Sequence, residues 1–273
     1  MSRLLHARFL QVRKDPLVQL GMVFMFIIGV VLAGLAYYLQ EKQSVEVGLE
    51  DIIYLYMPII GLMSGMYCSY LSGQEYYDGT IRNKLIVGHT RVTIYFSNLL
   101  INIIVIFCFW MVILLTETVL GLLLLKGTDI DIGEVCTTFL GIFLAIVALC
   151  AIFTLIAMSG QNHRTSDAVC LLLACLMLFA ALYLMELMAQ LKDYDEMTEE
   201  GVYVMIDKNE PLYPVIHHRK EYEFFYDLLP SGQIAQYVSK DVRRPERLPL
   251  CSAGIIVVTT AFGVFLFRRK NIQ

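Results

Sequence analysis

Charge is scarce in this sequence. Only 17% of its 273 residues are Asp, Glu, Lys or Arg, against roughly 25% in an average globular domain. Apolar residues fill the gap at 58%, above the roughly 45–50% of average usage. A soluble domain of this size cannot hide that much apolar surface, so lipid is the solvent that fits. Period-two alternation over segments of about 10 residues is also missing, which excludes a membrane β-barrel. GxxxxGK[ST], HExxH and GxSxG are absent, so no phosphate loop, zincin site or nucleophile elbow is expected on this chain. No metal or organic cofactor is expected either.

The seven cysteines are Cys68, Cys108, Cys136, Cys150, Cys170, Cys175 and Cys251. They sit in or beside apolar runs in no CxxC spacing, and read as small apolar residues of lipid-buried helices. The long polar segment before the last apolar run has none, so its fold does not rely on disulfides. Of the five histidines, His6, His89, His163, His217 and His218, the adjacent pair cannot face one metal from a helix and reads as solvated.

What is present is a series of about six apolar runs near or above the roughly 20 residues that a membrane span needs, the third longer than one span requires, so that it tilts or lies partly outside the bilayer. They are Gly21–Leu39, Ile52–Leu71, Thr93–Leu125, Val135–Ser159, Ala168–Leu187 and Leu250–Phe267. Backbone groups in lipid must pair within the chain, so the expected fold class is all-α: a polytopic membrane protein with six transmembrane helices in one domain, residues 1–273.

Loop charges alternate as six crossings require. Arg3, Arg8, Arg13 and Lys14 precede the first span, and Glu41, Glu46, Glu50 and Asp51 follow it. Arg82, Lys84 and Arg91 follow the second, and Asp129, Asp131 and Glu134 the third. Arg164 follows the fourth, and Arg268, Arg269 and Lys270 end the chain. The positive-inside rule then puts both termini in the cytoplasm of a plasma membrane and residues 192–249 outside, where Arg243 and Arg244 count for little. A cleavable signal peptide is the alternative reading of the first run, and charge does not exclude it.

Leu5, Phe9 and Val12 share one face of a helix over residues 1–18, with Arg3, Arg13 and Lys14 away from it. That pattern fits a basic amphipathic helix at the membrane interface, or an unstructured basic flank. Pro16 should break it before the first span. Gly61, Gly65, Ser69 and Gly73 recur every four residues and form a small ridge. It serves either packing within the chain or a subunit interface and cargo path. Glu117 and Glu186 are acidic groups within spans, functional candidates by type, both expected near the outer surface. In the outer segment Tyr222, Phe224, Phe225, Tyr226, Leu228 and Leu229 form an apolar patch before a Pro230-Ser231-Gly232 turn, and Gln233–Val238 can form a short helix.

The most informative stretch is residues 73–91. Gly79 permits a sharp turn, Thr80 is a good N-cap for a helix over Ile81–Val87, and Gly88 can close it in the left-handed conformation. The short helix would present Arg82, Asn83 and Lys84 beside Ile81 and Leu85. It is either a basic loop obeying the positive-inside rule or a docking surface.

The run Glu75, Asp78, Gly79, Thr80, Ile81, Arg82, Asn83, Lys84, Leu85 resembles the coupling region of type-2 ATP-binding-cassette exporter permeases. The layout, with a basic amphipathic start and a large outer segment before the last span, is similar too. Asp227-Leu-Leu-Pro230-Ser-Gly232-Gln233 resembles the outer segment of bacterial members linked to peptide and bacteriocin transport.

The resemblance implies two permeases, identical or different, paired in the membrane, each docked on a separate ATPase subunit that holds ATP and Mg. Glu75 would fix the loop by accepting hydrogen bonds, and Arg82 or Lys84 would meet acidic groups of the ATPase. An amphipathic cargo would leave between the permeases, near the first, second and fifth spans. Membrane lipids are partners and nucleic acid is not. The alternative is a membrane scaffold or sensor that docks a partner without transport.

Overall fold

The computed structural model describes residues 2–43, 56–124, 132–160, 163–199, 212–239, 242 and 245–270. The start of the expected second span (52–55), Glu46, Glu50, Asp51, Leu125, Asp129, Asp131, Arg243 and Arg244 lie outside them.

Every element among the described residues is a helix. In chain order they are α1 (Ser2–Arg13), α2 (Pro16–Gln43), α3 (Met57–Tyr77), α4 (Thr80–Ile86), α5 (Arg91–Leu124), α6 (Ile132–Ser159), α7 (His163–Glu199), α8 (Leu212–His217), α9 (Arg219–Leu228), α10 (Pro230–Val238) and α11 (Arg247–Arg269). Five of them, α2, α5, α6, α7 and α11, are long and apolar enough to cross a membrane. α3 has 21 residues, but Ser64, Ser69, Ser72, Gln74 and Glu75 dilute its apolar character. It is the inner helix of the bundle, flanked by α5, α6, α7 and α10. Ser64 and Ser69 donate back to the Gly61 and Met66 carbonyls of α3 itself, and Ser72, Gln74 and Glu75 meet side chains from elsewhere in the bundle, which is where such groups are tolerated.

Local chemistry sets the breaks. Proline lacks the N–H and fits the first helical turn, so α2 starts at Pro16, as expected. Asp15 caps it, accepting the Leu17 N–H at 2.9 Å. α2 then packs along α5, where Gly29 faces Thr116 and Ile113. The face of α1 differs from the expected one. Leu4, Arg8 and Val12 are buried, whereas Phe9 is exposed. α1 therefore turns a mixed face to the bundle, and part of its apolar surface faces outward.

The segment expected outside the membrane is partly built into the bundle. α7 runs on as helix past Leu187 to Glu199. Near that end Arg219 pairs with Asp195 at 3.1 Å and with Glu223 at 2.9 Å. α10 covers the expected short helix and begins earlier, at Pro230. It wedges among α3, α6 and α7. Its buried Gln233 and Gln236 donate to the Asp227 carbonyl and carboxylate at 2.8 and 3.0 Å, and Ser252 donates to Gln233. Deeper in the core, Trp110 on α5 stacks on Phe139 of α6 with centroids 4.5 Å apart, and its indole N–H donates to the Tyr56 hydroxyl at 2.9 Å.

Candidate functional site

One end of the bundle gathers α1, the C-terminus of α3, α4, the N-terminus of α5 and the C-termini of α6 and α11. Its organiser is Glu75, whose side chain is fully buried. Arg8 of α1 places its Nε 3.0 Å from Glu75 Oε1 and donates from Nη2 to the Leu71 carbonyl at 2.6 Å. Lys84 of α4 donates to the same carboxylate oxygen. Asn98 of α5 donates to Oε2 at 2.9 Å. Three helices thus converge on one carboxylate of a fourth. A buried carboxylate needs such partners, because leaving an ion unpaired away from water costs several kcal/mol. Two cations share the single anion, and burial pushes the Lys84 ammonium below the ordinary lysine value although Glu75 pulls it up.

A second tier ties in the remaining ends. Tyr76 donates its hydroxyl to the Met158 carbonyl at 2.7 Å. Lys270, just past α11, donates to the carbonyls of Met158 and Gly160 and lies 4.0 Å from the Tyr76 ring centroid. Arg91 donates to the carbonyls of Phe267, Arg268 and Lys270. One layer deeper, Asn102 donates to Ser72 at 3.3 Å and to Thr154 at 2.8 Å, linking α3, α5 and α6.

α4 is held against this hub by its two flanking glycines. Gly79 (φ 64°) and Gly88 (φ 96°) both take the left-handed backbone. At the C-terminus His89 N donates to the Lys84 carbonyl and Gly88 N to that of Leu85, each at 3.0 Å. This is the paired closure that a left-handed glycine permits. The N-terminus departs from expectation. Gly79, not Thr80, occupies the cap position, and the Thr80 hydroxyl donates to the Glu75 carbonyl at 3.0 Å. Thr80 is already inside the helix, so its oxygen serves as a donor to the preceding turn. Ile81 is buried, while Arg82, Asn83, Ile86 and Val87 are exposed. Tyr77 and Asp78, on the α3 side, are exposed as well. The outward surface is therefore one cation, an amide, an acid and three large apolar side chains. Lys84 and Leu85 lie partly covered beneath it.

The other expected residues are scattered. Gly65 is where α3 meets α7, since a Cβ there would lie 2.7 Å from Ala174 Cβ. Ser69 and Gly73 are buried within the chain, and Gly61 faces open space. Glu117 is buried, and neither carboxylate oxygen has a hydrogen-bond partner among the described residues. Glu186 is exposed and accepts from Gln190 at 3.0 Å. Neither glutamate joins the hub. Arg8, Asn98 and Asn102 do belong to it, and the two asparagines carry a signal in the sequence. Asn98 and Asn102 are one helical turn apart at the start of an apolar helix, which marks a polar stripe facing a neighbour.

Among the described residues no group of three or more His, Cys, Asp or Glu side chains could hold a metal ion. The arrangement offers an outward-facing short helix fixed from behind to α3 by Glu75 and, through that carboxylate, to α1 and α5. A search of curated proteins finds no match to this chain. Residues 4–163, more than half of the chain, match the family described as ABC-2 family transporter protein, and the chain belongs to that family.

Proposed function

We propose that this chain is the permease subunit of an ATP-driven exporter in a bacterial cell membrane, with α4 as the element that docks on the ATPase. One observation carries the reading: α4 is fixed from behind by Glu75 and presents Arg82, Asn83 and Ile86 outward, flanked by exposed Tyr77 and Val87. A lever needs a rigid mount and a free face, and α4 has both. ATP and Mg belong to the partner ATPase. Closure of the ATPase pair pushes α4, and the Glu75 hub passes the push to α1, α3 and α5.

In this reading α3 also spans the membrane, as the second of six crossings, both termini are cytoplasmic, and the long segment before α11 is extracellular. A second permease, the same chain or another, pairs along α2, α3 and α7. Exposed Phe24 and Ile27 on α2, Met66 on α3, and Leu172 and Phe179 on α7 support that surface. The cargo is amphipathic: a peptide, a peptide antibiotic or a lipid-like molecule, as in the peptide and bacteriocin branch with its resistance roles.

The test compares Arg82→Glu and Asn83→Pro with the parent chain. Proline inside a helix costs roughly 3 kcal/mol and breaks it. Both variants should insert in the membrane yet lose ATPase co-purification or hydrolyse ATP without transport. Normal co-purification and transport in both would overturn the docking role. Normal ATPase binding with no transport by the parent would favour a non-transporting scaffold.

A further inference from the structure

A crevice of about 420 Å³ opens where α1, α2 and α5 meet, away from the Glu75 hub and from the outward face of α4. Phe9 and Val12 of α1, Val18 and Met22 of α2, and Val105 and Cys108 of α5 form walls that are almost wholly apolar. Its polar groups are Arg13 and Gln19, at the corner between α1 and α2. Gln19 is committed to the corner itself, donating to the Arg13 carbonyl at 3.2 Å.

The charge at this corner is net positive, two cations against the single carboxylate of Asp15. Arg13 and Lys14 are exposed. The acid next to them in sequence, Asp15, is spent elsewhere: one oxygen caps Leu17, and the other accepts from Tyr70 at 3.0 Å and Gln74 at 3.4 Å. Arg13 thus stands at the mouth of an apolar slot, with exposed Lys14 next to it in sequence. A ligand that satisfies both halves has an anionic head and a hydrocarbon tail. In a chain of a membrane transporter family, that ligand is already the solvent. We propose that this crevice is a binding site for an anionic phospholipid, with an acyl chain between α1, α2 and α5 and the phosphate-bearing head at Arg13 and Lys14. The site is independent of the export reading, since it requires only that the chain sit in a bilayer.

The lipid would also anchor α1, the helix that carries Arg8. Each basic side chain near an anionic surface is worth about fivefold in binding. The size of the crevice lies within the usual range for ligand sites.

The full chain is reconstituted in vesicles of phosphatidylcholine with a minor fraction of phosphatidylglycerol. In parallel samples one lipid or the other carries a photoreactive group in its acyl chain, and adducts are located by peptide mass spectrometry. The phosphatidylglycerol probe should label the crevice peptides around Phe9–Met22 and Ile104–Cys108 at least about fivefold more than the phosphatidylcholine probe. Arg13→Gln combined with Lys14→Gln should erase that preference, and Arg13→Lys should keep it. Cys108→Trp should block labelling by both probes at the crevice. Labelling of exposed Val257 and Val258 on α11 serves as the fold control. Equal labelling of the crevice by the two probes in the parent chain means ordinary bulk lipid and overturns the site. A preference that survives the Arg13 and Lys14 substitutions overturns the assignment of the head group. Should Cys108→Trp misfold, the exposed Arg13 and Lys14 variants decide alone.

Discussion

Arg8 and Glu75, on the first and third helices, form a 3.0 Å ion pair with side chains 3% and 0% exposed. Lys84 joins the same oxygen from the short α4 helix. The proposed docking element, α4, is therefore bonded, through one carboxylate, to the N-terminal helix as well as to the bundle. Motion of α4 cannot leave α1 in place without breaking a buried charge contact.

Truncating the shared anion should be the most damaging change in the hub. Glu75→Ala leaves Arg8 and Lys84 without their partner, and an unpaired buried charge costs about 3–5 kcal/mol. Lys84→Met still leaves Arg8 paired with Glu75 and should cost clearly less. Thermal unfolding of the purified chain ranks the two, and hydrogen exchange in α1 should rise in Glu75→Ala only. Equal effects would mean that the carboxylate is not the shared anchor.

The two left-handed glycines should act locally. A non-glycine residue in that conformation costs roughly 1–2 kcal/mol. Gly79→Ala and Gly88→Ala have open space around the new methyl group, so the strain is in the backbone alone. Amide exchange within Thr80–Val87 should accelerate, with little change in α6 or α11. Protection unchanged in both variants would show that α4 does not depend on these turns.

Close approach of α3 to α7 is testable on the small ridge. Gly65→Leu must push Ala174 and the Cys170 carbonyl away, and such overpacking typically costs about 1–3 kcal/mol. A Cβ at Gly61 meets nothing within 4 Å, so Gly61→Leu should disturb the stability of the isolated chain far less. If Gly61→Leu instead abolishes pairing of two permeases in crosslinking assays, the outer part of the ridge belongs to the subunit interface.

Lys270 gives a pH dependence. Burial pushes its ammonium down to about 8 from the ordinary 10.5. Between those values the unfolded chain holds a proton that the folded chain has released, so stability rises with pH across that window. Below about 8 both states are charged and the penalty is fully present. Melting temperature measured from pH 7.5 to 10 should rise less steeply in Lys270→Met than in the parent. An identical slope would remove Lys270 from the titration.

The apolar runs made the long helices legible, because a run of that length has few alternatives to a helix in lipid. The glycine pair framed α4 almost to the residue. The hub was less legible. Arg8 reads as one more basic residue of an N-terminal flank, and nothing local says that its partner is Glu75. Charge patterning assigns basic residues to loops, whereas Arg8 and Lys84 are turned inward by tertiary contacts. Thr80 illustrates a smaller ambiguity. One hydroxyl can cap a helix or bond back to the preceding turn, and a shift of one residue in the helix start decides which.

Trp110 gives the molecule an optical reporter of its own. It is the single tryptophan in the chain, and its ring lies in van der Waals register with Phe139 while its N–H is held by Tyr56. Intrinsic emission excited at the indole therefore comes from one point, where α5, α6 and the start of α3 meet. Any transport step that slides these helices past one another must alter the stacking or release the N–H. The spectrum should shift as that happens, so the transport cycle can be followed in real time without a dye.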